Sequence, residues 1–399
     1  DIAVTEDVAS NVDLSVIDVS DVDAASANLT VTLSTATGGN LTAAAGAGIT
    51  VGGTSTALTL TGSQADLNTY LNTASNITYL HGTANQNGNN ADTISVVVND
   101  NGNTGSGGGA DQNLGSVNVD IGAVNDTPDV VGSGSAYAVN EQTNLVIHGT
   151  GFSVTDVDAG AGTVTATLSV GEGAITVAEG DSGITISSGN ATGTVVLLGT
   201  IAQINNLLTG AGTGTIVYHN ASNTPSASTT LTVTVNDGGN TGTDPGLTGD
   251  GTNEEDAASQ TINITAVNDD PTNAGSLPTD IAATEDVAST VDLSAIDLSD
   301  VDAASGNLTV TLTTSTGGNL TGGAGAGITV GGSSTALTLT GTLADLNTYL
   351  NTTSNITYLH GTPGTTGNDS DAISVVVNDN GNTGSGGGTD QNLGSVNVD

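Results

Sequence analysis

Apolar residues recur at every second position through most of the chain. Leu29-Thr-Val-Thr-Leu33, Ala57-Leu-Thr-Leu-Thr61, Ile77-Thr-Tyr-Leu80, Ile94-Ser-Val-Val-Val98 and Leu114-Gly-Ser-Val-Asn-Val119 all show it. Period-two alternation predicts strands with one face buried and one wet. Val12-Asp-Leu-Ser-Val-Ile17 and Ile49-Thr-Val51 read the same way, with Gly-rich turns between the runs. One stretch breaks the period. Ser63-Gln-Ala-Asp66 reads as a capping box before Leu67, Tyr70 and Leu71, the spacing of a short helix. Thr200-Ile-Ala-Gln203 and Thr342-Leu-Ala-Asp345 repeat that signature. About seven short strands with one helical turn predict an all-β, antiparallel, Ig-like sandwich.

The pattern itself repeats. Residues 1–120 align without a gap on residues 280–399, and 21 of those 120 positions differ. Between the copies lies a more distant cousin that keeps the landmarks, so the organisation is A–B–A. Near-copies at a fixed period mark an array of modules, expected here at 1–126, 127–269 and 270–399. Each is long enough for its own core. Both ends of the chain fall inside the pattern, which reads as a window on a longer array.

Composition sharpens this picture. The 399 residues include no Lys or Arg and 41 Asp plus Glu, a formal charge of −41. Lys or Arg salt bridges are excluded, and two carboxylates 4 Å apart repel by roughly 4 kcal/mol at an effective dielectric near 20. Clustered acids therefore need outside cations, and divalent ions are the simplest source. With no basic footprint, nucleic acid and anionic membranes are excluded as partners. High acidity with few aromatics also suits disorder, but 35% hydrophobic content and sustained alternation argue for folded modules. Zero Cys removes disulfides, thiolate chemistry and Cys-zinc sites. No stretch approaches the roughly 20 apolar residues of a membrane span, and no signal peptide is visible.

Candidate chemistry sits between the modules. Ala123-Val-Asn-Asp-Thr-Pro128 and Ala266-Val-Asn-Asp-Asp-Pro271 each close a last strand. Asn-Asp then Pro is turn chemistry, and it also places hard oxygens where two modules meet, as calcium requires. Asp-Val-Asp recurs at 21–23, 156–158 and 300–302, and Asn-Asp-x-Gly-Asn-Thr-Gly begins at Asn99, Asn236 and Asn378. Taken together these motifs resemble the cadherin-type repeats of very large bacterial surface and secreted proteins. The Asp-x-Asn-Asp-x-Pro linker, the Asp-x-Asp pair and an early glutamate are the family's calcium ligands, while its acidic motif before the penultimate strand is replaced here only by Asp92 and Asp371.

The resemblance implies Ca2+ at each junction. The first would use Asn125, Asp126, Asp156, Asp158 and Asp237, with Glu6 reaching from the module before. The second would use Asn268, Asp269, Asp300, Asp302 and Asp379, with Glu141. Asp21, Asp23 and Asp100 would face a preceding module, and Glu285 occupies the same early position in the third. Against this stands the plainer view that Asp-x-Asp and Asn-Asp-Gly are only turn formers. Three copies in register beside linkers favour metal.

Other candidates weigh less. His81, His148, His219 and His360 lack a paired acid or nucleophile at a recognisable spacing, and read as structural. Thr-x-Thr runs would suit a glycan- or ice-binding face but arise in any half-exposed strand. Asn-x-Thr sequons arise by chance in an Asn- and Thr-rich chain. The expected protein is non-enzymatic: an extracellular calcium-stiffened stalk, filament or matrix fibre of a bacterial cell, partnered by further copies of itself. The alternative is an adhesin module gripping a glycan or partner protein. Six Tyr and one Phe are few for that, and Tyr70, Tyr79, Tyr349 and Tyr358 occupy core-like positions.

Overall fold

A computed structural model describes residues 1–103, 109–239, 242–243, 254–382 and 384–399. Thr104, Gly105, Asn240, Thr241 and Thr383 of the Gly-rich motifs lie outside the described residues. Long strands alternate buried and wet side chains, as in Asn28–Thr35 with Leu29, Val31 and Leu33 inward. Alternation of this kind closes a sheet over a core on one face only.

The same layout occurs three times. In the first, a six-stranded sheet runs in the order Ile2–Thr5, Gln112–Gly122, Gly88–Asn99, Asn28–Thr35, Ala57–Ser63, Thr50–Thr54. A three-stranded sheet, Ser10–Asn11, Ile77–His81 and Gly39–Ala43, covers it. The buried residues fall into three separate clusters. One joins Leu33, Leu60, Tyr79 and Ile94, a second Phe152, Leu168, Ile204 and Tyr218, a third Leu312, Leu339, Tyr358 and Ile373. The protein is all-β in tandem sandwiches.

Among the described residues three short α-helices interrupt the strands: α1 (Gln64–Leu71), α2 (Ile201–Thr209) and α3 (Leu343–Leu350). Each is N-capped by the expected hydroxyl, Ser63, Thr200 or Thr342. Only α2 completes the reciprocal box, where Gln203 Oε1 accepts from Thr200 N at 2.8 Å. In α1 the shorter Asp66 instead accepts the Ser63 hydroxyl at 2.6 Å. One methylene less keeps an Asp from reaching back to the cap backbone.

Two sequence expectations need correction. Val12–Ile17 is not a strand, although Val12 and Leu14 are buried. Asp13 Oδ1 accepts from Ser15 N and Ile17 N donates to Leu14 O, so local turns satisfy the backbone there. The sandwich also contains a parallel element in each repeat: Ile2–Thr5 with Val119–Gly122, Tyr137–Asn140 with Ile262–Thr265, and Asp280–Ile281 with Asn397–Val398. A short parallel strand at a sheet edge is indistinguishable by period from an antiparallel one. It matters for the site, because it ends at Glu6 or Glu141.

Candidate metal centres

Each Asp-Val-Asp motif is a tight turn made by its own first carboxylate. Asp156 Oδ1 accepts from Asp158 N at 3.1 Å and Ala159 N at 3.0 Å. Asp300 Oδ1 does the same for Asp302 N and Ala303 N, at 3.2 and 2.9 Å. The Asn-Asp-x-Gly loops repeat the device: Asp237 Oδ1 accepts from Gly239 N at 3.0 Å, and Asp379 Oδ1 from Gly381 N at 3.2 Å. Turn formation therefore consumes one oxygen of each carboxylate. The second oxygen is aimed elsewhere: Oδ2 of Asp156, Asp237, Asp300 and Asp379 is buried without a hydrogen-bonding partner.

The carboxylates converge. Ligand atoms of Asp156, Asp158 and Asp237 lie within 4.8 Å of one another, and so do those of Asp300, Asp302 and Asp379. The linkers close over them. Asp126 N donates to Asp158 Oδ2 at 3.1 Å, and Asp269 N to Asp302 Oδ2 at 2.9 Å. Backbone bonds seat the linkers, with Asn125 N donating to Thr243 O at 3.2 Å and Asn268 N to Ser385 O at 3.2 Å. At the second centre Asn268 Oδ1 and Asp269 Oδ2 are again buried and partnerless.

The early glutamates reach the same place. Glu6 and Glu141 are each 2% exposed. Glu6 Oε1 accepts from Val124 N and its Oε2 from Asn87 Nδ2 at 2.8 Å. Glu141 Oε1 accepts from Val267 N at 2.9 Å, while its Oε2 is buried and partnerless. The parallel strand carries the glutamate to the linker.

Burial, with the neighbouring charges behind it, raises several of these carboxyls. Burial, then the neighbouring Asp158, pushes Asp156 up to about 6, and burial with Asp302 does the same to Asp300. Asp237 is also raised by burial, against the pull of bonds from Gly239 and Asn125. Asp126 is raised by burial and then by the charges of Asp158, Asp7 and Glu6. Asp21, in the same turn motif, moves the other way, lowered chiefly by its backbone bond from Asp23. Burial is the largest cause at Asp156 and Asp300 and a lesser one at Asp21. Asp21, Asp23 and Asp100 instead line an open pocket of about 590 Å³. Glu285 is exposed.

Asp92 and Asp371 are filled instead by hydrogen bonds. Asp92 accepts from Thr37 N at 2.8 Å, Gly39 N at 3.0 Å and the Tyr79 hydroxyl at 2.9 Å. Asp371 accepts from Thr316 N, Gly318 N and Tyr358 in the same way. Burial alone pushes both carboxyls up, but these hydrogen bonds outweigh it and hold them below the usual range. Three histidines bond backbone: His81 Nδ1 accepts from Thr83 N at 3.2 Å, His148 Nδ1 from Ile216 N at 3.0 Å and His360 Nδ1 from Thr362 N at 3.1 Å, whereas His219 Nδ1 is buried without a partner.

Sequence reasoning missed Asp7, whose charge reaches Asp126 although it resembles only a turn residue beside Glu6. It also missed the exposed group Asp280, Asp369 and Asp399, which no single motif contains.

No protein-family model matches the sequence, and no curated protein matches it. Solved structures do. Mouse cadherin-23 domains EC22–24 match at 15% identity and a TM-score of 0.36, covering all (100%) of this chain and 95% of that one. Mouse protocadherin-24 EC1–3 matches at 13% identity and 0.32, covering 90% and 89% of the two chains. Protocadherin gamma B2 domains 3–6 match at 12% and 0.28, covering 90% of this chain and 66% of that one.

Proposed function

We propose that this chain is a structural, non-enzymatic repeat segment whose modules, 1–126, 127–269 and 270–399, are clamped to one another by calcium. The carrying observation is the set of buried carboxylate oxygens left without a partner at both junctions, Oδ2 of Asp156 and Asp237 and Oδ2 of Asp269, Asp300 and Asp379. Burying polar groups unsatisfied is costly, and burying charges together is more so. Calcium takes six to eight oxygens from carboxylates and carbonyls, so such a donor set fits it. Asn125, Asp126, Asp156, Asp158 and Asp237 with Glu6 would hold one junction. Asn268, Asp269, Asp300, Asp302 and Asp379 with Glu141 would hold the other. Because the ligands belong to two modules, binding energy becomes orientation energy and a flexible string becomes a stiff one. Asp21, Asp23 and Asp100 would face a preceding module in the same way, and Glu285 takes the early glutamate's place in the third. A stiff acidic array of this kind suits an extracellular stalk or matrix fibre of a bacterial cell, where calcium is plentiful and copies align side by side through bridging cations.

The test is small-angle scattering of the whole chain with millimolar calcium and with chelator. A longer maximum dimension and narrower conformational spread in calcium are expected, with magnesium much less effective because it demands smaller, near-octahedral geometry. Superimposable curves in calcium and chelator would sink the clamp.

A further inference from the structure

The two junctions differ at the second oxygen of the early glutamate. Glu6 and Glu141 both accept a linker amide on Oε1, from Val124 N and Val267 N, and each is 2% exposed. Beyond that they part. Glu6 Oε2 accepts from Asn87 Nδ2 at 2.8 Å, whereas Glu141 Oε2 is buried and partnerless. The donor comes from the loop between the strands Ile77–His81 and Gly88–Asn99. Asn85 N in that loop donates to Asp7 Oδ1 and Oδ2, both at 3.1 Å, which anchors the loop beside Glu6 and sets Asn87 within reach.

In the second repeat the corresponding loop, between the strands Thr215–His219 and Ser228–Asn236, is held elsewhere. Gln142 stands in Asp7's place and donates from Nε2 to Asn223 Oδ1 at 2.9 Å. Ser226 N donates to Glu172 Oε2 at 3.1 Å, and Asn220 Nδ2 to Glu172 Oε1 at 2.8 Å. Glu172 thereby draws the loop towards itself, and Glu141 Oε2 is left bare. A buried carboxylate oxygen without a partner carries its full desolvation cost, and a cation that reaches it relieves that cost. An oxygen already accepting from an amide gains less, because the hydrogen bond is given up first.

We propose that Asn87 is a latch on the first junction. Its amide competes with a divalent cation for Glu6 Oε2, so the joint between the second and third modules fills at lower calcium than the joint between the first and second. The inference rests on the calcium clamp proposed above, and adds to it an order of filling and the residue that sets it. Asn87 is exposed and belongs to neither linker, so it leaves Glu6 without disturbing the turns that hold the aspartates. As calcium rises, the chain passes through a form with one stiff joint and one loose one.

The test is calorimetric titration of calcium into the whole chain, with small-angle scattering at each calcium level. Two classes of site are expected, separated roughly tenfold or more, since hydrogen-bonding partners of metal ligands typically control about 10–100-fold in affinity. Glu141→Gln should weaken the tighter class alone. Asn87→Ala should tighten the weaker class alone, by roughly tenfold, with circular dichroism unchanged because the side chain is exposed. A residue that merely supported Glu6 would show the opposite sign, because loss of support weakens a metal site. A weaker class that loosens or stays put on Asn87→Ala therefore overturns the latch. So does a single class of sites in the native chain, which leaves the clamp itself standing. No calcium heat at all would overturn the clamp, and the latch with it.

Discussion

Single aspartates in this protein bond a turn with one oxygen and leave the other bare. Asp156 and Asp237 each spend Oδ1 on a turn and keep Oδ2 buried and unbonded. Asp156→Asn and Asp237→Asn should therefore leave the turns intact and weaken calcium binding at that junction. Losing even an indirect partner of a metal site costs about 10–100-fold, so a loss of at least about tenfold is expected by titration calorimetry. Asp92→Asn should do the reverse. Its amide would face the Gly39 N–H and Tyr79 O–H donors, costing about 2–3 kcal/mol of stability with calcium affinity unchanged. The two kinds of aspartate also differ in pH dependence. Asp156 and Asp300 are raised from 3.8 to about 6, so the folded chain binds protons more tightly than the unfolded one. In chelator, stability should then fall as pH rises from 3.8 to about 6. Asp92 and Asp371 are lowered, so their contribution is present above the ordinary value of 3.8 and is lost as pH falls below it. Thermal melts across pH 3 to 8 should show a maximum between these two windows in chelator, with the alkaline fall removed by calcium.

At the scale of elements, a few glycines decide how closely strands and turns approach. A Cβ on Gly39 would stand 2.1 Å from the Tyr79 ring and 2.4 Å from Asp92 Oδ2, and Gly318 has the same neighbours in Tyr358 and Asp371. Gly39→Ala and Gly318→Ala should each cost about 3 kcal/mol or more, since overpacking a tight core typically costs 1–3. Gly115 and Gly394 form an internal control. Both have positive φ, +115° and +121°, so alanine strains both equally. Only Gly394 has Leu277 against it, so Gly394→Ala should lower stability in chelator by about 1 kcal/mol more than Gly115→Ala. Equal losses in denaturant titrations would mean that Leu277 contributes nothing to the third sandwich. Helix α2, with its complete box, should lose about 1 kcal/mol on Thr200→Ala.

Over the whole molecule the dominant force after core burial is repulsion among 41 acidic residues with no basic partner. Salt screens exposed charges over about 8 Å at physiological strength. In chelator, added sodium chloride should raise the melting temperature, and millimolar calcium should raise it further than the same ionic strength of sodium. Calorimetry with the two salts separates screening from site binding. An absence of any excess from calcium would leave the fold intact but remove its stiffener.

Much of this was legible in the sequence, because alternation, repetition and turn chemistry are local. Leu29 to Leu33 had to be a half-buried strand, Ser63 had to cap a helix, and residues 1–120 had to fold as residues 280–399 do. Spacing also named the aspartates of both junctions, as their turns repeat in register. What alternation cannot carry is direction and partner choice. Period two is the same for a parallel strand, so the pairing of Ile2–Thr5 with Val119–Gly122, which brings Glu6 to Val124, came only from the tertiary structure. Nor does composition say which of many carboxylates are satisfied. Asp92 and Asp156 are both Asp beside apolar residues, yet one is filled with hydrogen bonds and the other keeps an oxygen bare. That distinction depends on which donors long-range packing places around each group, and packing is what a linear pattern leaves undetermined.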